Sequence, residues 1–97
     1  LVNEHMQTSD PDIYAVGDCA MVKNRITGRD AWSPMGSTAN ITGRLAAQNI
    51  AGGDVSYSGA MGTAVCHLPE LKVGKTGLSE GPAKDAGKSI NMMWSPY

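Results

Sequence analysis

The sequence has 97 residues, with eight basic and nine acidic side chains and a formal net charge of −1. Because the charges nearly cancel and no basic stripe is present, the composition argues against a nucleic-acid partner. No apolar run approaches the roughly 18 residues of a membrane-spanning helix, and no signal peptide is visible. With two Trp, three Tyr and no Phe, any core must be built mainly from aliphatic side chains.

The two cysteines, Cys19 and Cys66, are too few for a disulfide framework. We expect reduced, partly buried thiols in a cytoplasmic protein. His5 and His67 could extend them to a metal site, but the spacing fits no zinc pattern. In a strand, the adjacent Cys66 and His67 would also point to opposite faces. The sequence therefore predicts no metal.

The first third of the chain predicts a turn, a strand and a hairpin. Pro11 in "SDPD" keeps Asp10 out of the helical region and indicates a turn between two extended segments. Residues 13–16 form a near-continuous apolar run, as expected of a strand covered on both faces. The polar segment "KNRITGRD", residues 23–30, contains a glycine and predicts a surface hairpin.

The clearest helical pattern follows this hairpin. Pro34 could take the first helical position with Ser33 as its N-cap, and Ser37 is the alternative cap. The glycine pair at 52–53 predicts the end of the helix. Gly43 costs about 1 kcal/mol relative to Ala in a helix, so close packing against a neighbour would explain it. The pattern is amphipathic, with one broad face of Thr38, Ala39, Ile41, Thr42, Leu45, Ala46, Asn49 and Ile50 and an opposite face of Asn40, Arg44 and Gln48.

Beyond the helix, the sequence predicts a smaller set of strands. Residues 63–68 and 71–78 resemble strands joined through Pro69. A helix can begin at Ser79, and residues 89–95 alternate enough to be a third strand. The residue pattern changes after the first helix, and this change predicts a domain boundary near residues 59–62.

A short apolar strand that ends in Gly17-Asp18 suits the sugar chain of a dinucleotide. Glycine lets the backbone come close to a ligand. An acid at the carboxyl end of a strand faces the crevice where open α/β sheets bind ligands, and its carboxylate can accept hydrogen bonds from hydroxyls. The dipeptide alone favours the simpler interpretation, a turn with a solvated Asp18.

Several ordered motifs extend this signal. "TSDPDIYAVGDCA", residues 8–20, resembles the second flavin-binding motif of the pyridine nucleotide-disulfide oxidoreductases. "PMGSTANITGRLAAQNIAGG", residues 34–53, is similar to the helix that follows it in that family. "YSGAMGTAV" and "KTGLSE" resemble the entry to the family's C-terminal dimerisation domain. The resemblance covers nearly all of residues 2–88 and is greatest for the branch of NADH oxidases, NADH peroxidases and coenzyme A-disulfide reductases.

The resemblance implies a fold class that runs from α/β to α+β. Residues 1–58 would form the C-terminal end of a Rossmann-like FAD-binding domain, and residues 59–97 an incomplete, N-terminal part of an α+β dimerisation domain. It also implies FAD as cofactor, NAD(P)H as electron donor and a homodimer. The first FAD segment and the NAD(P)H-binding segment of the same protein would then lie outside this chain.

The resemblance assigns cofactor contacts to two places in the chain. Asp18 would hydrogen-bond the ribityl chain of FAD, with Gly17 allowing the close approach. The amino end of the helix would point at the N1/O2 region of the flavin, where its partial positive charge and free N–H groups can stabilise negative charge. Four consecutive residues would lie beside the pyrimidine edge of the ring: Met35, Gly36, Ser37 and Thr38.

No catalytic residue is predicted in this chain. The family's redox cysteine lies in a motif that the sequence lacks, and Cys19 matches no redox position. The complete protein would pass electrons from NAD(P)H through FAD to a disulfide, peroxide or oxygen, and the 97-residue chain alone would be inactive. Two alternatives remain: a thiol-independent flavin reductase that serves a ferredoxin- or rubredoxin-like protein, and a non-catalytic dimerisation module. We also expect exposed apolar faces and self-association of the isolated chain.

Overall fold

A computed structural model of the chain describes residues 1–96. Its helices and strands are short except for one helix, and both of its sheets are antiparallel pairs. The fold is therefore a small mixture of helices and strands. In chain order the elements are a 3-10 turn at Gly17–Cys19, β1 at Met21–Lys23, β2 at Asp30–Trp32, α1 at Gly36–Ile50, β3 at Ala64–His67, β4 at Lys72–Lys75 and α2 at Glu80–Asp85.

The first hairpin forms where the polar, glycine-containing segment predicted it. β1 pairs with β2 so that Lys23 lies opposite Asp30, and the two side chains form an ion pair at 2.6 Å. The Asn24 side chain accepts hydrogen bonds from the backbone N–H groups of Ile26 and Thr27 at 2.9 and 3.1 Å. This side-chain-to-backbone bonding is the local chemistry that favours Asn in turns.

The second hairpin and the second helix also follow the sequence prediction. β3 and β4 pair antiparallel from Ala64 opposite Lys75 to His67 opposite Lys72, within the two predicted strands. Ser79 occupies the N-cap of α2 as predicted, although its side chain makes no capping bond. Glu80 and Lys84 are one helical turn apart and form an ion pair at 2.6 Å.

Helix α1 ends as predicted but begins differently. Met35 is the N-cap residue, and no side chain caps the helix, so both predicted caps are wrong. The hydroxyl of Ser33 instead pairs with that of Thr38 at 3.1 Å. At the other end, Gly52 adopts a φ of +91°, and the N–H of Gly53 donates to the Gln48 carbonyl at 2.9 Å. This left-handed ending is the usual role of glycine after a helix.

One stripe of α1 is buried, and it is narrower than the predicted face. Ile41 and Ile50 are exposed, although the helical pattern placed them with the core. Apart from its own helix backbone, no heavy atom of residues 1–96 lies within 4 Å of where a Cβ on Gly43 would lie, so the close packing expected there is not formed by the described residues. The buried members of the predicted face are Thr38, Thr42, Leu45, Ala46 and Asn49.

The core lies between α1, the first hairpin and the amino-terminal loops. Its most buried side chain is Met6, which is 1% exposed and adopts a φ of +67°. Half-buried side chains, Val16 and Tyr57 among them, pack around the edge of this cluster. The full set of buried apolar members is Met6, Val22, Leu45, Ala46 and Ala60.

Two predicted strands are not formed within the described part of the chain. Residues 13–16 make a single antiparallel bridge, from Tyr14 to Gln7 across the predicted "SDPD" turn, and Ile13 is 53% exposed. One bridge does not make a strand, and the exposure of Ile13 shows that this apolar run is not covered on both faces. Residues 89–95 contain no strand either, and Trp94 is 88% exposed.

The chain leaves much of its apolar surface open to solvent. Its radius of gyration is 16.0 Å, whereas a compact domain of this length would have about 12 to 13 Å. The expected exposure of apolar faces is thus confirmed. On the second hairpin and the carboxyl-terminal segment, the exposed large apolar side chains are Val65, Leu68, Leu71, Val73, Met92, Met93 and Trp94.

Candidate functional site

The Gly17–Cys19 turn presents Asp18 at the surface. Val16 enters the turn fully extended, at φ −142° and ψ 164°, and Gly17 then adopts a φ of +76°. Glycine reaches this left-handed region without the steric cost that a Cβ brings. The N–H of Ala20 donates to the Gly17 carbonyl at 3.1 Å and closes the turn. The backbone is therefore folded tightly while the Asp18 side chain stays exposed.

Trp32 holds the backbone of this turn in place. Its indole Nε1–H donates to the Asp18 carbonyl oxygen at 2.7 Å. The register of the first hairpin makes this contact possible, because Trp32 lies opposite Met21, which follows the turn closely. The sequence pattern did not predict a role for Trp32. The signal that could have found it is a donor side chain at the hairpin position that pairs with the residue just after the motif.

The amino end of α1 presents backbone N–H donors that have no partner within residues 1–96. The first helical hydrogen bond runs from Ala39 N to the Met35 carbonyl at 2.9 Å. Within residues 1–96, the N–H groups of Gly36, Ser37 and Thr38 have no hydrogen-bond acceptor. The first turn also carries no acidic side chain. Such a helix end favours a negatively charged or electron-rich group.

The turn and the amino-terminal half of α1 pack against each other. A Cβ placed on Gly17 would lie 3.6 Å from the Cβ of Ala39, which is ordinary van der Waals contact. The six residues predicted to contact a cofactor therefore lie on two elements in contact: Gly17, Asp18, Met35, Gly36, Ser37 and Thr38. One element carries an exposed carboxylate and the other ends in free N–H donors, a combination that fits the hydroxyls of a sugar chain and the acceptor edge of an aromatic ring.

Open space adjoins the same helix end. Cavities of about 160 and 270 Å³ lie between Met35 and the second hairpin, and Ala64 and Lys75 line both of them. Trp32 lines the smaller cavity. The side chains of the second hairpin thus leave the amino end of α1 accessible.

Both cysteines are more exposed than predicted. Cys19 lies in the turn, where its thiol donates to the Val16 carbonyl at 3.3 Å, and Cys66 lies on β3. Both have free, exposed thiols, so the expectation of partial burial is wrong for each. No group of three His, Cys, Asp or Glu side chains that could hold a metal occurs among the residues that the structure describes.

Comparison with known proteins identifies the family. No protein-family model matches the chain. The NAD(P)H sulfur oxidoreductase (CoA-dependent) of Pyrococcus furiosus is 41% identical over 88 residues, which are 91% of this chain and 20% of that protein. The crystal structure of an FAD-dependent pyridine nucleotide-disulphide oxidoreductase from Desulfovibrio vulgaris matches with a TM-score of 0.80 at 41% identity, over 89% of this chain and 22% of that one. The chain belongs to the pyridine nucleotide-disulfide oxidoreductases.

Relatives within this family have more than one activity. The NADH oxidase of Methanocaldococcus jannaschii is 46% identical over 78 residues, which are 80% of this chain and 17% of that protein. The chain spans about a fifth of the length of the curated relatives it matches.

Across residues 1–96, no helix of this family member is both long and apolar enough to cross a membrane.

Proposed function

We propose that the protein is an FAD-dependent oxidoreductase that moves electrons from NAD(P)H through FAD to a disulfide, peroxide or oxygen. This chain would supply the ribityl- and flavin-contacting half of the FAD site. The observation that carries the proposal is the packing of the Gly17–Cys19 turn on the amino-terminal half of α1. That packing joins the two motifs to which the family resemblance assigns FAD contacts.

Asp18 has the role of an acceptor for the sugar chain. Its carboxylate is exposed, and the backbone is fixed from both sides by the Gly17–Ala20 and Trp32–Asp18 hydrogen bonds. An ionised carboxylate forms stronger hydrogen bonds with hydroxyls than a neutral acceptor does. Because the turn is already ordered, little conformational entropy remains to be lost when these bonds form.

The amino end of α1 has an electrostatic role. When FAD is bound, it supplies the chemistry of accepting a hydride and passing electrons on. The N–H groups of Gly36, Ser37 and Thr38 would donate to acceptor atoms at the edge of the ring. Their fixed dipoles favour negative charge that develops there, and they need no reorganisation to do so.

The second half of the chain has a different proposed role. Residues 59–97 would belong to a dimerisation domain and contribute to a homodimer interface, after a boundary near residues 59–62. The exposed apolar side chains Val65 and Val73 on the second hairpin support this, since large apolar patches commonly mark contact surfaces. Residues 1–58 would close the Rossmann-like FAD-binding domain.

The names of the relatives bear on the acceptor. The similar proteins of Pyrococcus furiosus and Methanocaldococcus jannaschii are named as a sulfur oxidoreductase and an NADH oxidase. These names support sulfur compounds or oxygen as the acceptor class, rather than a ferredoxin- or rubredoxin-like protein.

Removal of the Asp18 carboxylate from the full-length protein tests the proposal. We expect Asp18→Ala to weaken FAD binding by roughly ten- to a hundredfold, because a hydrogen bond to a charged group contributes about 1.5 to 3 kcal/mol. Asp18→Asn keeps one acceptor oxygen and should lie between Asp18→Ala and the unchanged protein. The measurement is the dissociation constant of FAD, from flavin fluorescence after removal and re-addition of the cofactor.

Asp12→Ala is the matched control. Asp12 is an exposed carboxylate in the preceding turn, outside the Gly17–Cys19 contact with α1. Its removal should leave the dissociation constant of FAD unchanged. Equal FAD affinity in the Asp18→Ala and Asp12→Ala proteins would refute the assignment of Asp18 to the sugar chain.

A further inference from the structure

Lys75 lies at the carboxyl end of β4, beside the amino end of α1. The register of the second hairpin places it opposite Ala64, and opposite residues of an antiparallel pair project from the same face. Both residues line the cavities of about 160 and 270 Å³, and so does Met35, the N-cap residue of α1. Lys75 is therefore a neighbour of the helix end at which the flavin contacts are proposed.

Hydrogen bonds fix the chain next to Lys75. The hydroxyls of Thr63 and Thr76 pair at 2.7 Å, and the N–H of Gly77 donates to the Met61 carbonyl at 3.0 Å. These bonds tie the end of β4 to the segment that leads into β3. The backbone position of Lys75 beside the two cavities is thus determined by its own hairpin.

The charge of Lys75 has no partner within residues 1–96. Lys23 and Lys84 each form an ion pair with a carboxylate at 2.6 Å, whereas Lys75 forms none. Neither cavity is lined by an Asp or a Glu. The remaining lining of the larger cavity consists of Met35, Ala64, Val65, Cys66 and Val73. A positive charge beside such a lining is weakened less than it would be in bulk water.

The amino end of α1 and Lys75 favour the same sign of charge. The free N–H groups of the helix carry a partial positive charge, and the first turn has no acidic side chain. Lys75 adds a full positive charge from a different element. A group that becomes more negative at this helix end would therefore be stabilised from two sides.

We propose, on the basis of the FAD site proposed above, that Lys75 raises the midpoint potential of the bound flavin. Reduction adds negative charge to the ring, so a nearby positive charge stabilises the reduced form more than the oxidised form. Lys75 acts through space and needs no hydrogen bond to the ring. It is an electrostatic residue supplied by the second half of the chain, and it is not a catalytic residue.

The test is the midpoint potential of FAD in the full-length protein, measured anaerobically at low salt by equilibration with a redox dye. Lys75→Met keeps an unbranched side chain and removes the charge. Because Lys75 is exposed and solvent screens part of its effect, we expect a three- to tenfold lower equilibrium constant for reduction, on the order of one partly screened charge. For a two-electron couple this fold-change corresponds to about 15 to 30 mV.

Two further variants separate charge from structure. Lys75→Arg keeps the charge and should shift the equilibrium constant by less than about twofold. Lys72→Met is the matched control, because Lys72 is an exposed lysine at the other end of β4 that lines neither cavity. It should also change the constant by less than about twofold. The difference between the unchanged protein and Lys75→Met should shrink at 1 M salt, where the Debye length is about 3 Å.

Equal midpoint potentials in the Lys75→Met and Lys72→Met proteins would overturn the proposal, and so would an equal loss in Lys75→Arg and Lys75→Met. A difference that persists at high salt would also count against a charge effect. In all three cases the variants would still bind FAD, so the flavin proposal would stand. A full-length protein that binds no FAD, judged by its visible absorbance after addition of the cofactor, would refute both proposals.

Discussion

The substitution Gly59→Ala should disrupt the junction between the first hairpin and the segment after α1. Gly59 adopts a φ of +97°, and a Cβ there would overlap the Lys23 carbonyl oxygen. That oxygen accepts a hydrogen bond from Ala60 N at 2.8 Å, and Arg25 N donates to the Ala60 carbonyl at 3.0 Å. The added methyl group therefore pushes apart two backbone segments that two hydrogen bonds join.

The magnitude follows from these contacts. An L-residue in a left-handed conformation costs about 1 to 2 kcal/mol. Each of the two backbone hydrogen bonds contributes about 0.5 to 1.5 kcal/mol. If the overlap breaks both bonds, the loss is about 2 to 5 kcal/mol of local stability. A flexible side chain could move aside, but the Lys23 carbonyl belongs to a paired strand and cannot.

Native-state hydrogen exchange of the full-length protein measures this loss locally. The N–H groups of Arg25 and Ala60 report on the junction itself, and their opening free energy should fall by about 2 to 5 kcal/mol in Gly59→Ala. Gly43→Ala is the control, since the site is inside α1 and, apart from the helix backbone, no heavy atom among residues 1–96 lies within 4 Å of the new Cβ. It should stabilise α1 by up to about 1 kcal/mol.

The same substitution of glycine by alanine should thus lower the local stability at position 59 and raise it at position 43. If the Arg25 and Ala60 amides exchange at unchanged rates in Gly59→Ala, the junction does not depend on the absence of a Cβ, and the reasoning fails. A destabilising Gly43→Ala would show instead that α1 has a close neighbour at that position.

Three further outcomes follow from single side chains. Asn49→Ala should lower the free energy of local opening by about 2 to 4 kcal/mol in hydrogen exchange, because the buried amide of Asn49 donates to Val55 O at 2.9 Å and accepts from Val55 N at 2.8 Å. Trp32→Phe should weaken FAD binding several-fold in the fluorescence titration, since the Asp18 carbonyl oxygen loses the 2.7 Å hydrogen bond from the indole N–H. Cys19→Ser should leave steady-state NAD(P)H oxidation unchanged and abolish rapid labelling of Cys19 by a thiol reagent, because this thiol is exposed and is not proposed to react.

Local chemistry explains which elements could be predicted. The first hairpin depends on Asn24 and its own turn, and the end of α1 depends on the positive φ of Gly52. Both signals lie within a few residues of the structure they produce. The strand at 13–16 depends on partners that no local pattern specifies, and in residues 1–96 only Gln7 pairs with it, at Tyr14. An apolar run predicts burial, but pairing decides whether a strand forms.

The helix start and the cysteines show a related limit. Ser33 and Ser37 are both good N-cap residues by type, yet Ser33 bonds Thr38 by its hydroxyl and the helix begins after Met35 without a side-chain cap. An uncapped start leaves free donors, which is a stability cost in an isolated helix. The same free donors are what an acceptor-rich ligand needs, so the failed prediction coincides with the proposed site.

The exposure of Asp18 depends on contacts from outside its own motif. Gly17 provides the left-handed φ and also the surface that meets Ala39, while Trp32 fixes the Asp18 carbonyl through the hairpin register. The motif alone predicts an acid at a turn, but two other elements, β2 through Trp32 and α1, contact the backbone of this turn. A solvated turn would need no such support. The turn is supported by Trp32 on β2, by α1 and by the left-handed φ of Gly17. This support favours a binding role for Asp18 over a simple surface turn.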